Sequence, residues 1–87
     1  MIDLFAVNDF ISFLKKEYPE INVNVKYDPI NFELQIQFDY MKTDYHYRTI
    51  RKFISNTKEA IGAICFYHTD FLACLSEKGV KLNGSND

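Results

Sequence analysis

The residues in this chain that could hold a metal, attack a carbon centre or move a proton near neutral pH are few. There are two histidines, His46 and His68, and two cysteines, Cys65 and Cys74. Cys65 and His68 lie three apart, a spacing that sets a thiolate and an imidazole on one face of a helix, which is half of a zinc-type ligand set. His46 and Cys74 would have to complete it. Cys74 comes nine residues after Cys65, on the opposite face and roughly 13 Å further along the axis, so no metal site and no other cofactor is expected. The same separation forbids a Cys65–Cys74 disulfide without breaking the helix. A nucleophilic serine or cysteine needs a base beside it and a third group to orient that base, and no spacing here announces such a set. With three glycines in the chain, no glycine-rich phosphate loop and no paired-carboxylate motif, catalysis is not the expected business of this protein.

Residues suited to binding are more plentiful. The net charge is −2, which lends no support to general phosphate binding, yet the charge is segregated. Lys42, Arg48, Arg51, Lys52 and Lys58 face only Asp44 within residues 42 to 58, whereas residues 1 to 41 hold seven acids against three lysines. Arg48, Arg51, Lys52 and Lys58 surround the start of the long second helix, whose dipole also favours an anion. They read either as an anion-binding feature or as a charged edge strand that discourages edge pairing. Tyr40, Tyr45 and Tyr47, with His46, cluster about a turn; facing solvent they would be rigid amphipathic anchors, and facing inward they would be core.

The elements that must position these groups follow from hydrophobic periodicity. Leu4, Val7, Ile11, Leu14 and Tyr18 recur at helical spacing, with Phe10 and Phe13 widening the apolar face, Asp3 or Asn8 as cap and Pro19 as stop. Ile21, Val23, Val25 and Tyr27 alternate with polar residues as a strand. After a turn at Asp28, Pro29, Ile30 and Asn31, the alternation resumes as Phe32, Leu34, Ile36, Phe38 and Tyr40. A third strand spans Tyr45 to about Ile50, running on towards Ile54. Either Tyr45, Tyr47 and Thr49 or His46, Arg48 and Ile50 face its core side.

Asn56 and Glu59 form a capping-box variant opening a helix that runs to about Lys78, where Gly79 ends it. Ile61, Ile64, Cys65, His68, Phe71, Leu72 and Leu75 form its inner face. Phe66 falls on the opposite side, among Gly62, Ala63, Asp70 and Ala73, and the strip reads as a flat, mildly apolar docking surface with one aromatic knob. The expected architecture is α+β, in the order α-β-β-β-α, with a three-stranded antiparallel sheet and both helices on one face. At 87 residues one core is the sensible count, over residues 1 to 82, with 83 to 87 as a disordered tail. No apolar run approaches a membrane span, and unpaired cysteines suit a reducing cytoplasm.

The α-β-β-β-α order resembles that of double-stranded RNA-binding domains, with Ser55 to Ala60 standing where that family begins its second helix. Lys58 and Ala60 match its lysine-rich start, but two lysines are missing and the Asp28–Asn31 turn is short. Asn22, Asn24, Lys26, Glu33, Gln35 and Gln37 line the outer sheet face without an aromatic to stack a base. In size, in composition and in element order the chain also resembles small accessory proteins of phages of low-GC Gram-positive hosts, including some type II anti-CRISPR proteins. That resemblance implies a non-enzymatic protein that inhibits or adapts a host protein by steric occlusion in the host cytoplasm. The expected partner is a host protein or a second copy, as in a homodimer, with nucleic acid bound through the basic segment as the alternative.

Overall fold

The computed structural model describes residues 2–40, 42 and 47–80. The order is α1 (Leu4–Glu17), β1 (Ile21–Asp28), β2 (Glu33–Tyr40), β3 (Tyr47–Phe53) and α2 (Thr57–Glu77). The strands form one antiparallel sheet in the order β1-β2-β3, so the α+β architecture read from periodicity is the one that forms. The tail from Asn83 and the residues Tyr45 and His46 lie outside the described set.

Local chemistry fixes the ends of both helices. The Asp3 carboxylate accepts from the Phe5 and Ala6 amides and opens α1. Asn56 accepts from the Glu59 amide and opens α2, satisfying donors that no helical carbonyl can reach. At the far end of α2, Gly79 adopts φ 85°. Its amide donates to Ser76 O and the Val80 amide to Leu75 O, each at 3.0 Å, the two crossed bonds of a Schellman closure.

The core lies between the helices and one face of the sheet. Ile21 and Val23 from β1, with Leu34, Ile36, Phe38 and Tyr40 from β2, meet Val7, Ile11 and Leu14 of α1 and Ala60, Ile64, His68, Phe71 and Leu75 of α2. Phe38 stacks on Phe71 with ring centroids 5.7 Å apart. α1 packs over β1 and α2 over β2. Ile50, in register with the fully buried Ile36, is only half-buried, and Lys52, in register with Leu34, is exposed. The helical layer therefore gives β3 less cover than it gives β2.

Several expected placements are corrected. Tyr40 is buried, because its register with Ile21 puts it on the core face, so it cannot serve as a solvent-facing anchor. The third strand's register places Ile50 opposite Ile36, which settles its facing in favour of Ile50. Leu4 and Phe13 are exposed instead of completing the inner face of α1; Phe13 lies against the half-buried Phe10. Cys65 is exposed, because the buried stripe of α2 is rotated towards Ala60 and Tyr67. Phe32 does not begin β2: it sits in the turn at φ 54°, outside the alternation that buries Leu34.

Candidate functional site

One end of the molecule gathers exposed apolar side chains beside the rim of the core. Four segments converge there: the entry to α1, the β1–β2 turn, the exit of β3 and the entry to α2. Hydrogen bonds hold them together. The Asp3 amide donates to Thr57 Oγ1 at 2.8 Å, tying the first helix to the second. The Tyr27 hydroxyl donates to Ile54 O at 3.1 Å, and the Ile54 amide to Phe32 O at 2.8 Å. The turn itself is pinned by Asp28, whose Oδ1 accepts from the Ile30 and Asn31 amides and whose Oδ2 accepts from Asn31 Nδ2 at 2.7 Å. These bonds to Asn31 and the backbone hold the Asp28 carboxyl below the usual carboxylate range.

Between these segments is a half-open groove of about 500 Å³ lined by Ile2, Leu4, Tyr27, Pro29 and Phe32. Its lining is almost wholly apolar. Phe32 is 45% exposed and its ring lies 5.9 Å from that of Phe53, which is 75% exposed; Ile30, at the tip of the turn, is 84% exposed. Water in contact with such rings costs free energy, at roughly 25 cal/mol per Å². Of the large apolar residues exposed among the described ones, Leu4, Phe5, Ile30, Phe32 and Phe53 belong to these segments, and Phe13 and Phe66 do not.

Phe32 adds a second signal. A bulky residue in the left-handed region is strained by about 1–2 kcal/mol, and here the strain leaves the aromatic ring half in solvent instead of in the core. The period-of-two reading assigned Phe32 to the inner face because its spacing from Leu34 fits. The carboxylate-pinned turn overrides that spacing, and Asp28 with Asn31 was the sequence signal for it.

The anticipated α2 strip is present in part. Phe66 is 65% exposed, edge-on to Tyr67 at 5.0 Å, and Gly62, Asp70 and Ala73 are exposed with it. Ala63 is half-buried against the core and does not belong to the open face. Of the tyrosines expected to cluster about the second turn, Tyr40 is inside, Tyr45 lies outside the described residues, and Tyr47 is in register with Asp39.

Neighbouring members of the basic segment fall on different faces of β3. Alternation along β3 puts Arg51, in register with Gln35, on the outer sheet face and Lys52, in register with Leu34, on the helix side. Arg48 is in register with Phe38, and Lys58 lies exposed in the first turn of α2. Lys52 Nζ sits 5.9 Å from the Tyr67 ring centroid, a cation–π distance. The outer sheet face also carries an aromatic at its end, since Phe53 is in register with Glu33.

His68 is 3% exposed, lying against Tyr18 at 5.4 Å and Phe38 at 5.8 Å. Its Nε2 is buried and has no hydrogen-bond partner among the described residues, unlike the carbonyl- or hydroxyl-bonded histidine its inward position suggested. Burial pushes its pKa down. Among the described residues no three of His, Cys, Asp and Glu come together as a metal ligand set, and no helix is long and apolar enough to cross a membrane. No family model, curated protein or solved structure matches the chain, so the functional reading rests on these surfaces.

Proposed function

We propose that this domain is a non-enzymatic protein-binding module that docks through its apolar end, with Phe32 and Phe53 as anchors and the groove floored by Tyr27 as the receiving pocket. The observation that carries this reading is the convergence of exposed Leu4, Ile30, Phe32 and Phe53 on segments cross-linked by side-chain hydrogen bonds, with strained backbone at Phe32. A rigid, pre-ordered apolar surface loses little conformational entropy on association, and aromatic anchors carry a disproportionate share of binding energy. A domain of this size that covers a surface of another protein acts by excluding that protein's other ligands. This is the mode of an inhibitor or adaptor, in keeping with the resemblance to small phage accessory proteins.

The exposed face of α2 about Phe66 is a second candidate surface, and paired variants separate the two. Phe32→Asn with Phe53→Ser should leave folding intact by circular dichroism and reduce partner capture at least tenfold, each hot-spot aromatic contributing ~2 kcal/mol or more. Phe66→Ser should reduce it little. Equal loss from Phe66→Ser alone would move the docking surface to α2, and undiminished capture by the double variant would refute the end-face reading.

A further inference from the structure

We propose that the open edge of β3 accepts an extended acidic segment of a partner protein as a fourth strand. This inference rests on the reading of the domain as a protein-binding module and names the chemistry of the partner. β3 is the last strand of the sheet, and among the described residues none pairs beyond it. Parity identifies its free groups. The Ile54 amide bonds to Phe32 O, and bonded and unbonded positions alternate along an antiparallel ladder. The N–H and C=O groups of Ile50 and Lys52 therefore turn towards β2, and those of Thr49, Arg51 and Phe53 turn outward.

Natural sheets blunt such an edge with proline, a bulge, a covering element or charge, and charge blunts it only against strands that do not carry the opposite sign. β3 contains no proline, and its register runs without a break from Glu33–Phe53 to Asp39–Tyr47. Its distinguishing feature is charge. Arg48, Arg51 and Lys52 lie in Tyr47–Phe53 with no acid among them, and neither Arg51 nor Lys52 has a carboxylate partner among the described residues.

That charge discriminates among occupants. A second copy pairing antiparallel about Ile50 would set Lys52 opposite Arg48 of the other copy twice over, and like charges directly opposite destabilise a ladder. A phosphate backbone satisfies the cations but cannot offer alternating amides and carbonyls to Thr49, Arg51 and Phe53. An acidic strand does both. Its carboxylates reach Arg51 on the outer face and Lys52 on the helix side, and an apolar residue at its end lies beside Phe53 and Phe32, continuous with the apolar surface already described.

The test is amide hydrogen exchange followed by NMR on the intact chain, with a capped peptide alternating glutamate with threonine and valine as probe, its lysine-for-glutamate counterpart, and a short RNA duplex. With the acidic peptide, exchange at Thr49, Arg51 and Phe53 should slow about tenfold or more while Ile50 and Lys52 change little; the lysine peptide should have no effect. Arg51→Glu should weaken the acidic peptide about fivefold. Thr49→Pro should still fold, because an outward amide is not part of the ladder, and should lose the protection. Equal protection by both peptides, protection without alternation, or protection by the RNA duplex alone would each overturn the proposal. Perturbation confined to Leu4 and Phe32, or no perturbation anywhere, would overturn strand addition while leaving the apolar docking end to its own test with the Phe32 and Phe53 variants.

Discussion

At the scale of single residues, Phe32, Phe38 and His68 show how differently one aromatic or imidazole ring can be used. Phe38 is wholly buried against Phe71 and His68, so Phe38→Ala should cost about 3–5 kcal/mol in denaturant melts. Phe32 is half in solvent on a left-handed backbone. Phe32→Asn relieves about 1 kcal/mol of that strain and should leave the melting temperature unchanged or raised, although it removes an aromatic ring; a large drop would return Phe32 to the core. His68 is held neutral by burial, which lowers its pKa. The unfolded chain protonates this imidazole near pH 6.5, whereas the folded chain does so only at lower pH, so unfolding takes up a proton in between. Stability should be full above that value, decline as the pH falls below it, and level off once the folded imidazole also protonates. His68→Leu should flatten that stretch of the stability–pH curve; an unchanged slope would mean that other groups set it.

At the scale of elements, α2 is closed tightly at both ends and has a soft spot between. Gly79→Ala places a Cβ at φ 85° and should cost about 1 kcal/mol, read as earlier melting with faster exchange over the last turn. Gly62 is exposed inside the helix, and a Cβ there meets nothing within 4 Å, so Gly62→Ala should stabilise the domain by about 0.5–1 kcal/mol. If that gain comes with loss of partner capture, close approach of another surface explains the glycine; if capture is untouched, the α2 strip is ordinary solvent-facing helix. The β1–β2 turn depends on the Asp28 carboxylate. Its lowered pKa means that its support is present above the ordinary carboxylate value and is lost as the pH falls through the folded one, which NMR of the Ile30 and Asn31 amides would follow directly.

At the scale of the whole molecule, the fold separates two jobs. The helices and the inner faces of β1 and β2 form the core, and the chain ends of these elements, brought to one pole, present rings to solvent. Small domains spare few large side chains from the interior, so exposing Phe32, Phe53 and Ile30 together has a cost that an occupied surface would offset. The Lys42–Glu20 pair at 2.9 Å joins the start of the β2–β3 connection to the entry of β1, away from this pole.

The order of elements, the cap at Asn56, the Gly79 closure and the solvent-facing Phe66 were legible in the residues themselves, and the first cap was narrowed to Asp3 or Asn8, because periodicity and capping are local: each is decided within one or two turns of chain. The facing of β3, the division of Arg51 from Lys52 and the rotation of α2 that exposes Cys65 were not, because they depend on register and packing between segments far apart in sequence. The apolar pole belongs to this second group. No stretch of the chain contains it; it exists because the Asp3–Thr57 and Ile54–Phe32 bonds bring four segments to the same end, and a one-dimensional pattern holds no record of which ends meet.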